Sequence, residues 1–131
     1  MKSIDGYALQ VETSLAFSET IKRVTELLKA EGFGVLTEID VKATLKEKLD
    51  VDWHPYHILG ACNPPFAHRA LKALPQIGVL LPCNVVVWDD GERRIVAAME
   101  PKIMGQMIDN PEIKAIADEV SERMHRVMTE L

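Results

Sequence analysis

Period-two alternation opens the chain. Tyr7, Leu9 and Val11 alternate with Ala8, Gln10 and Glu12, which predicts a half-buried strand over residues 7–13. Ser18 then reads as a helix N-cap with Glu19 in the first turn, where a negative charge suits the helix dipole. Ile21, Val24, Leu27 and Leu28 form an apolar stripe at helical spacing, and Lys29 followed by Gly32 closes that helix. From Phe33 to Val41 the pattern returns to strand, with Val35, Thr37 and Ile39 on one face and Leu36 and Glu38 on the other. Leu45 and Leu49, four apart in a charged stretch, predict a short surface helix over 42–49.

The second half repeats the alternation. His54 to Cys62 reads as a strand with Tyr56, Ile58, Gly60 and Cys62 on one face and His57, Leu59 and Ala61 on the other. Pro64 and Pro65 suit the first turn of a helix carrying Phe66, Ala70, Leu71 and Leu74, and Pro75 ends it. Cys83 to Trp88 is rich in β-branched residues, Asp89-Asp90-Gly91 signals a hairpin, and Arg94 to Met99 is the return strand. Asn110-Pro111-Glu112 starts a last helix whose buried face is Ile113, Ile116, Ala117, Val120, Met124 and Val127. On its solvent side Glu119–Arg123 and Glu122–Arg126 have the spacing of i,i+4 ion pairs. With neither repeats nor a Gly/Ser linker, residues 1–131 read as one α+β domain, a mostly antiparallel or mixed sheet with helices packed on one face.

Composition narrows the function classes. At 131 residues with 47% hydrophobic and 27% charged residues, the chain can build a core without disulfides or metals. A net charge of −5 with no basic stripe argues against nucleic acid as a partner. The opening Met1-Lys2-Ser3-Ile4-Asp5-Gly6-Tyr7 lacks the apolar segment of a secretory signal, and no apolar run has membrane-spanning length. A cytoplasmic location follows as the expectation, with thiols kept reduced.

Candidate chemistry gathers at two polar corners, Cys62-Asn63-Pro64 and Pro82-Cys83-Asn84. Should the strands that carry them run antiparallel, both thiols lie at one sheet end; parallel strands would part them by about 17–20 Å. One reading is a ligand pocket formed by Cys62, Asn63, Cys83 and Asn84, with Glu100 from the end of the following strand as a polar contact or general base. A second adds His68 to Cys62 and Cys83 as ligands of a zinc or iron ion with an open coordination position. The ordinary alternative is that both cysteines pack as small hydrophobes beside Ile58, Leu59 and Val85. His54 and His57 read as strand-edge residues, and Tyr56 as a half-buried strand tyrosine. The methionine-rich stretch Ile103–Ile108 would serve as core, as a lid, or as the interface of a homo-oligomer, most simply a dimer. There is no Gly-rich phosphate loop, no G-x-S-x-G and no H-E-x-x-H.

Residues 56–64, Tyr-His-Ile-Leu-Gly-Ala-Cys-Asn-Pro, and 77–87, Ile-Gly-Val-Leu-Leu-Pro-Cys-Asn-Val-Val-Val, resemble domain-of-unknown-function family 302. Gly32-Phe33-Gly34-Val35, Glu38-Ile39-Asp40-Val41 and Pro101 fit the same pattern, so the likeness runs from about Tyr7 to Met128. The resemblance implies the order strand, helix, four strands, helix, and marks Cys62, Asn63, Pro64, Pro82 and Cys83 as motif positions. It implies no activity. The functional expectation is therefore a small domain that holds a metal ion or a small thiol-reactive molecule beside Cys62 and Cys83. A non-catalytic oligomerising module with both cysteines in its core is the alternative, and a thiol-dependent enzyme is a third reading.

Overall fold

The computed structural model describes residues 1–131. Its sheet has six strands, β1 (Lys2–Ile4), β2 (Ala8–Thr13), β3 (Gly34–Asp40), β4 (Tyr56–Cys62), β5 (Cys83–Asp89) and β6 (Arg94–Met99), in spatial order β1-β2-β6-β5-β4-β3. Every neighbouring pair is antiparallel. The chain leaves β2 through α1 (Phe17–Ala30), crosses to the far edge at β3, and walks back strand by strand until β6 pairs with β2. The connections carry α2 (Val41–Leu49), α3 (Pro64–Ala73), a 3-10 segment (Pro75–Leu80), α4 (Lys102–Met107) and finally α5 (Pro111–Thr129).

The core lies on one side of the sheet. Leu9, Leu59, Val85, Val87, Val96 and Ala98 project from alternate strand positions toward Val24 and Leu28 of α1 and the buried stripe of α5. Each of these leucines and valines taken from water contributes about 1.5–3 kcal/mol, so this layer is the main stabilising term. Asn110 caps α5 as its sequence predicts, accepting from the amides of Glu112 and Ile113. The α+β class, the antiparallel sheet and the packing of α1, α3 and α5 on one face agree with the sequence reading.

One strand is added and three local expectations are corrected. Strand β1 has no alternating apolar signal because two of its three residues are exposed. Helix α1 begins at Phe17 with Ala16 at the cap position and no capping side chain, so Ser18 is already helical. Strand β3 carries a bulge between Val35 and Thr37, where Leu36 turns out to solvent at 66% exposure. An extra residue reverses the alternation beyond it. Val35 therefore packs on the core while Thr37 and Ile39 share the face of Gly60 and Ile58. Finally, the α5 ion pairs are not within the helix: Arg126 binds the Glu31 carboxylate at 2.9 Å, and Glu119 is engaged by Arg69 at 3.4 Å.

Candidate functional site at the cysteine corner

Cys62 ends β4 and Cys83 begins β5, and the register that pairs Ala61 with Cys83 sets both thiols at one end of the sheet. Gly60 makes that corner possible. A Cβ there would run into Thr37 Oγ1 and lie 2.9 Å from Pro82 Cγ, so only a bare backbone lets Pro82 close against β4 and seat Cys83.

Asn63 follows Cys62 and is 7% exposed. Its side chain does not cap α3. The Nδ2 group donates instead to the Glu31 carbonyl at 3.2 Å, tying the end of α1 to the corner. Arg123 donates to the same carbonyl at 3.0 Å. Gly32, at φ +88°, turns the chain there, and a Cβ would sit 3.1 Å from Asn63 Nδ2. Hydrogen bonding from Arg126 holds the Glu31 carboxyl below its usual range, which keeps this junction charged.

Behind the corner lies a narrow, half-open pocket with a cavity volume of about 40 Å³. Phe33, Phe66, Cys62, Cys83 and Met104 form part of its wall, and Ile113, Ile116 and Val120 of α5 form its far side. Thirteen of the fifteen lining residues are hydrophobic, so the pocket offers a ligand dispersion and burial rather than charge. Half-buried Phe66 carries two guanidinium groups, Arg123 at 5.3 Å and Arg69 at 5.6 Å from its ring centroid, which fix its orientation.

Burial governs the thiols. It pushes the Cys62 pKa up, and raises that of Cys83 to about 11, with repulsion from Cys62 as a smaller cause. Both groups are free and carry their protons near neutrality, the form least suited to nucleophilic attack or metal ligation. Cys83 keeps its proton where the unfolded chain, near 9.0, begins to lose it. Its contribution to stability is whole below that value and is lost as pH rises toward about 11. Wild-type protein is therefore expected to lose more urea resistance over that window than Cys83→Ala, and equal losses would contradict the assignment.

The remaining candidates lie elsewhere. Asn84 alternates with Cys83 and stands exposed on the opposite sheet face, away from the pocket, as the strand period requires. His68 is exposed on α3 and is not brought to the cysteines, and no three His, Cys, Asp or Glu side chains form a group that could hold a metal ion. His57 sits 2.7 Å from Glu38 and 3.6 Å from Asp40, its ring edge-on to Phe17, while His54 packs on Trp53. Tyr56 stacks on Trp88 at the far end of β4 from Cys62. Within the Ile103–Ile108 stretch Met104 is buried in the pocket wall and Met107 is 63% exposed.

Glu100 turns away from the pocket lining into a polar cluster that the sequence does not announce. It is 9% exposed and accepts from Ser121 Oγ at 2.9 Å, and its other oxygen lies 2.9 Å from His125 Nε2. Since the serine hydroxyl donates to the carboxylate, its hydrogen is not available to the imidazole as in a nucleophile–base pair. The cluster instead clamps the end of β6 to α5. A serine inside the apolar stripe of α5, four residues before a histidine, is the sequence signal that points to it.

Residues 9–131 match the domain of unknown function DUF302. The crystal structure of an uncharacterized conserved DUF302 protein from Bacillus stearothermophilus superposes with a TM-score of 0.86, at 34% identity, covering 95% of this chain and 97% of that one. Among curated proteins, fluoride-specific ion channel FluC 1 of Brucella suis biovar 1 (strain 1330) is 29% identical over 92 residues, or 70% of this chain and 36% of its own length. FluC 1 of Brucella abortus biovar 1 (strain 9-941) matches at the same identity over 34% of its length. The match thus spans about a third of these curated relatives.

Proposed function

We propose that this chain, which belongs to the DUF302 family, is a small-ligand binding domain whose pocket beside Cys62 and Cys83 takes a small, neutral, apolar molecule or the apolar end of a larger one. The observation that carries the reading is the lining itself: thirteen hydrophobic residues of fifteen, with both thiols protonated by burial. Metal ions and anions would enter such a pocket at a high desolvation cost with nothing to repay it. Small apolar molecules enter at little desolvation cost and, with displacement of the side chains around a space of about 40 Å³, gain contacts there. Cys62, half-buried at the wall, would contribute a polarizable contact, with Asn63 holding the corner in shape. A thiol-dependent enzyme would need a group that lowers the Cys62 pKa, whereas burial raises it.

The channel activity named for the Brucella proteins belongs to chains about three times as long as the shared segment. No helix of this chain is long and apolar enough to cross a membrane. The shared segment is accordingly read as a domain appended to those channels, for which ligand binding is a fitting role.

Thermal unfolding with a graded panel of probes tests the proposal. Indole, benzene and 1-hexanol should raise Tm, by about 9 °C at a hundredfold excess over Kd, while phosphate and zinc should not. Ala67→Trp, which fills the pocket from α3, should remove the response. Equal shifts in wild type and Ala67→Trp, or a response to zinc alone, would overturn the reading.

A further inference from the structure

Helix α2 touches β3 and β4, while α1, α3, α4 and α5 pack on one side of the sheet. On the other, Tyr56, Ile58, Val86, Trp88, Ala97 and Met99 project from the three central strands and remain half-buried, with no helix residue bordering the depression between them. Gln10 and Asn84 are the polar residues of that depression, which has no charged lining residue. Tyr56 and Trp88 stack at 5.6 Å with planes 11° apart, so part of the surface is already rigid. A monomer rarely leaves so continuous an apolar, aromatic surface to water.

We propose that this face is covered by the same face of a second copy of the chain, giving a two-fold symmetric dimer with the sheets packed face to face. Three observations favour a second copy. First, the area: the five longer strands, about 4.8 Å apart and some 20 Å long, span on the order of 500 Å² before side-chain relief, toward the low end of what each partner gives to an interface. Lys2 and Glu12 at the β1–β2 edge form a charged rim around the uncharged centre. Second, the chain carries a net charge of −5, and a contact through this face, uncharged across its centre, avoids placing like charges against each other. Third, the composition is that of a homodimer core, with Tyr, Trp and Met enriched and Lys, Glu and Asp absent. Symmetry completes the fit, because an isologous contact demands one self-complementary patch and aligned sheet packing supplies it. The helix-side pocket would face outward on both copies, free to bind.

Sedimentation of the full chain tests this. Wild type should run at twice the 14.7 kDa chain mass at micromolar concentration. Val86→Lys places a charge at the centre of the face without touching the core side, and should weaken the dimer at least about 100-fold. Met107→Lys, on the exposed side of α4, should leave the dimer intact. A wild-type monomer, a Val86→Lys dimer, or a dimer dissociated by Met107→Lys would each overturn the proposal; a monomer would leave the face to a different partner. Should Val86→Lys fail to fold, Trp53→Phe protein serves instead. Its Trp88 emission should shift to the red on dilution through dissociation, and an unchanged spectrum would overturn the proposal.

Discussion

Replacing Glu100 by alanine is expected to destabilise the fold by about 3 kcal/mol and to lower Tm by about 10 °C. The carboxylate is the shared acceptor of the Ser121 hydroxyl and the His125 imidazole. Ser121 is 1% exposed, so without Glu100 its hydroxyl has lost the acceptor assigned to it and has no access to solvent. The same substitution unpins the end of β6, whose Glu100 amide also donates to the Tyr7 carbonyl at 2.8 Å, from α5. Glu100→Gln keeps the shape and the Ser121 bond and should cost about half as much; Ser121→Ala should cost about 1 kcal/mol. Urea unfolding measures all three, and an unchanged midpoint for Glu100→Ala would show that the cluster is not a clamp.

Gly60→Ala is expected to destabilise the fold by about 2–3 kcal/mol. Its Cβ would meet Thr37 Oγ1 and the Pro82 ring together, and the ring cannot move without shifting Cys83 and the pocket wall. Thr37 is exposed at the sheet edge, so Thr37→Ala alone should change stability by less than about 0.5 kcal/mol. Combined with Gly60→Ala it should restore at least about 1 kcal/mol, leaving the part due to Pro82. Additive effects in this double-mutant cycle would mean that Thr37 does not confine Gly60.

Much of this architecture is legible in the sequence because its main signals are local. The stripe of α5 and its Asn110 cap, the Asp89-Asp90-Gly91 turn, and the alternation of β4 and β5 each follow from spacing or backbone chemistry within a few residues. The placement of both cysteines at one sheet end also follows, once β4 and β5 are antiparallel. What is not legible depends on partners distant in sequence. The bulge at Leu36 is invisible to a period-two count and reverses the faces of Thr37 and Ile39. Asn84 carries the same corner signature as Asn63, yet strand alternation turns it to the opposite side of the sheet. Arg123 and Arg126 have acidic residues four positions earlier, but the exposed end of α1 offers Glu31 as the better-placed acceptor. Glu100 reads as a turn acid because nothing nearby reveals that Ser121 and His125 lie against it.

Methyl-resolved NMR tests ligand binding in the pocket most directly. With isoleucine and methionine methyl groups labelled, titration with indole should shift Ile77, Ile113, Ile116 and Met104, which line the pocket, together and saturably. Ile58 and Met99, on the other side of the sheet, should stay in place. Shifts confined to the second set, or none in the first at saturating indole, would contradict the account.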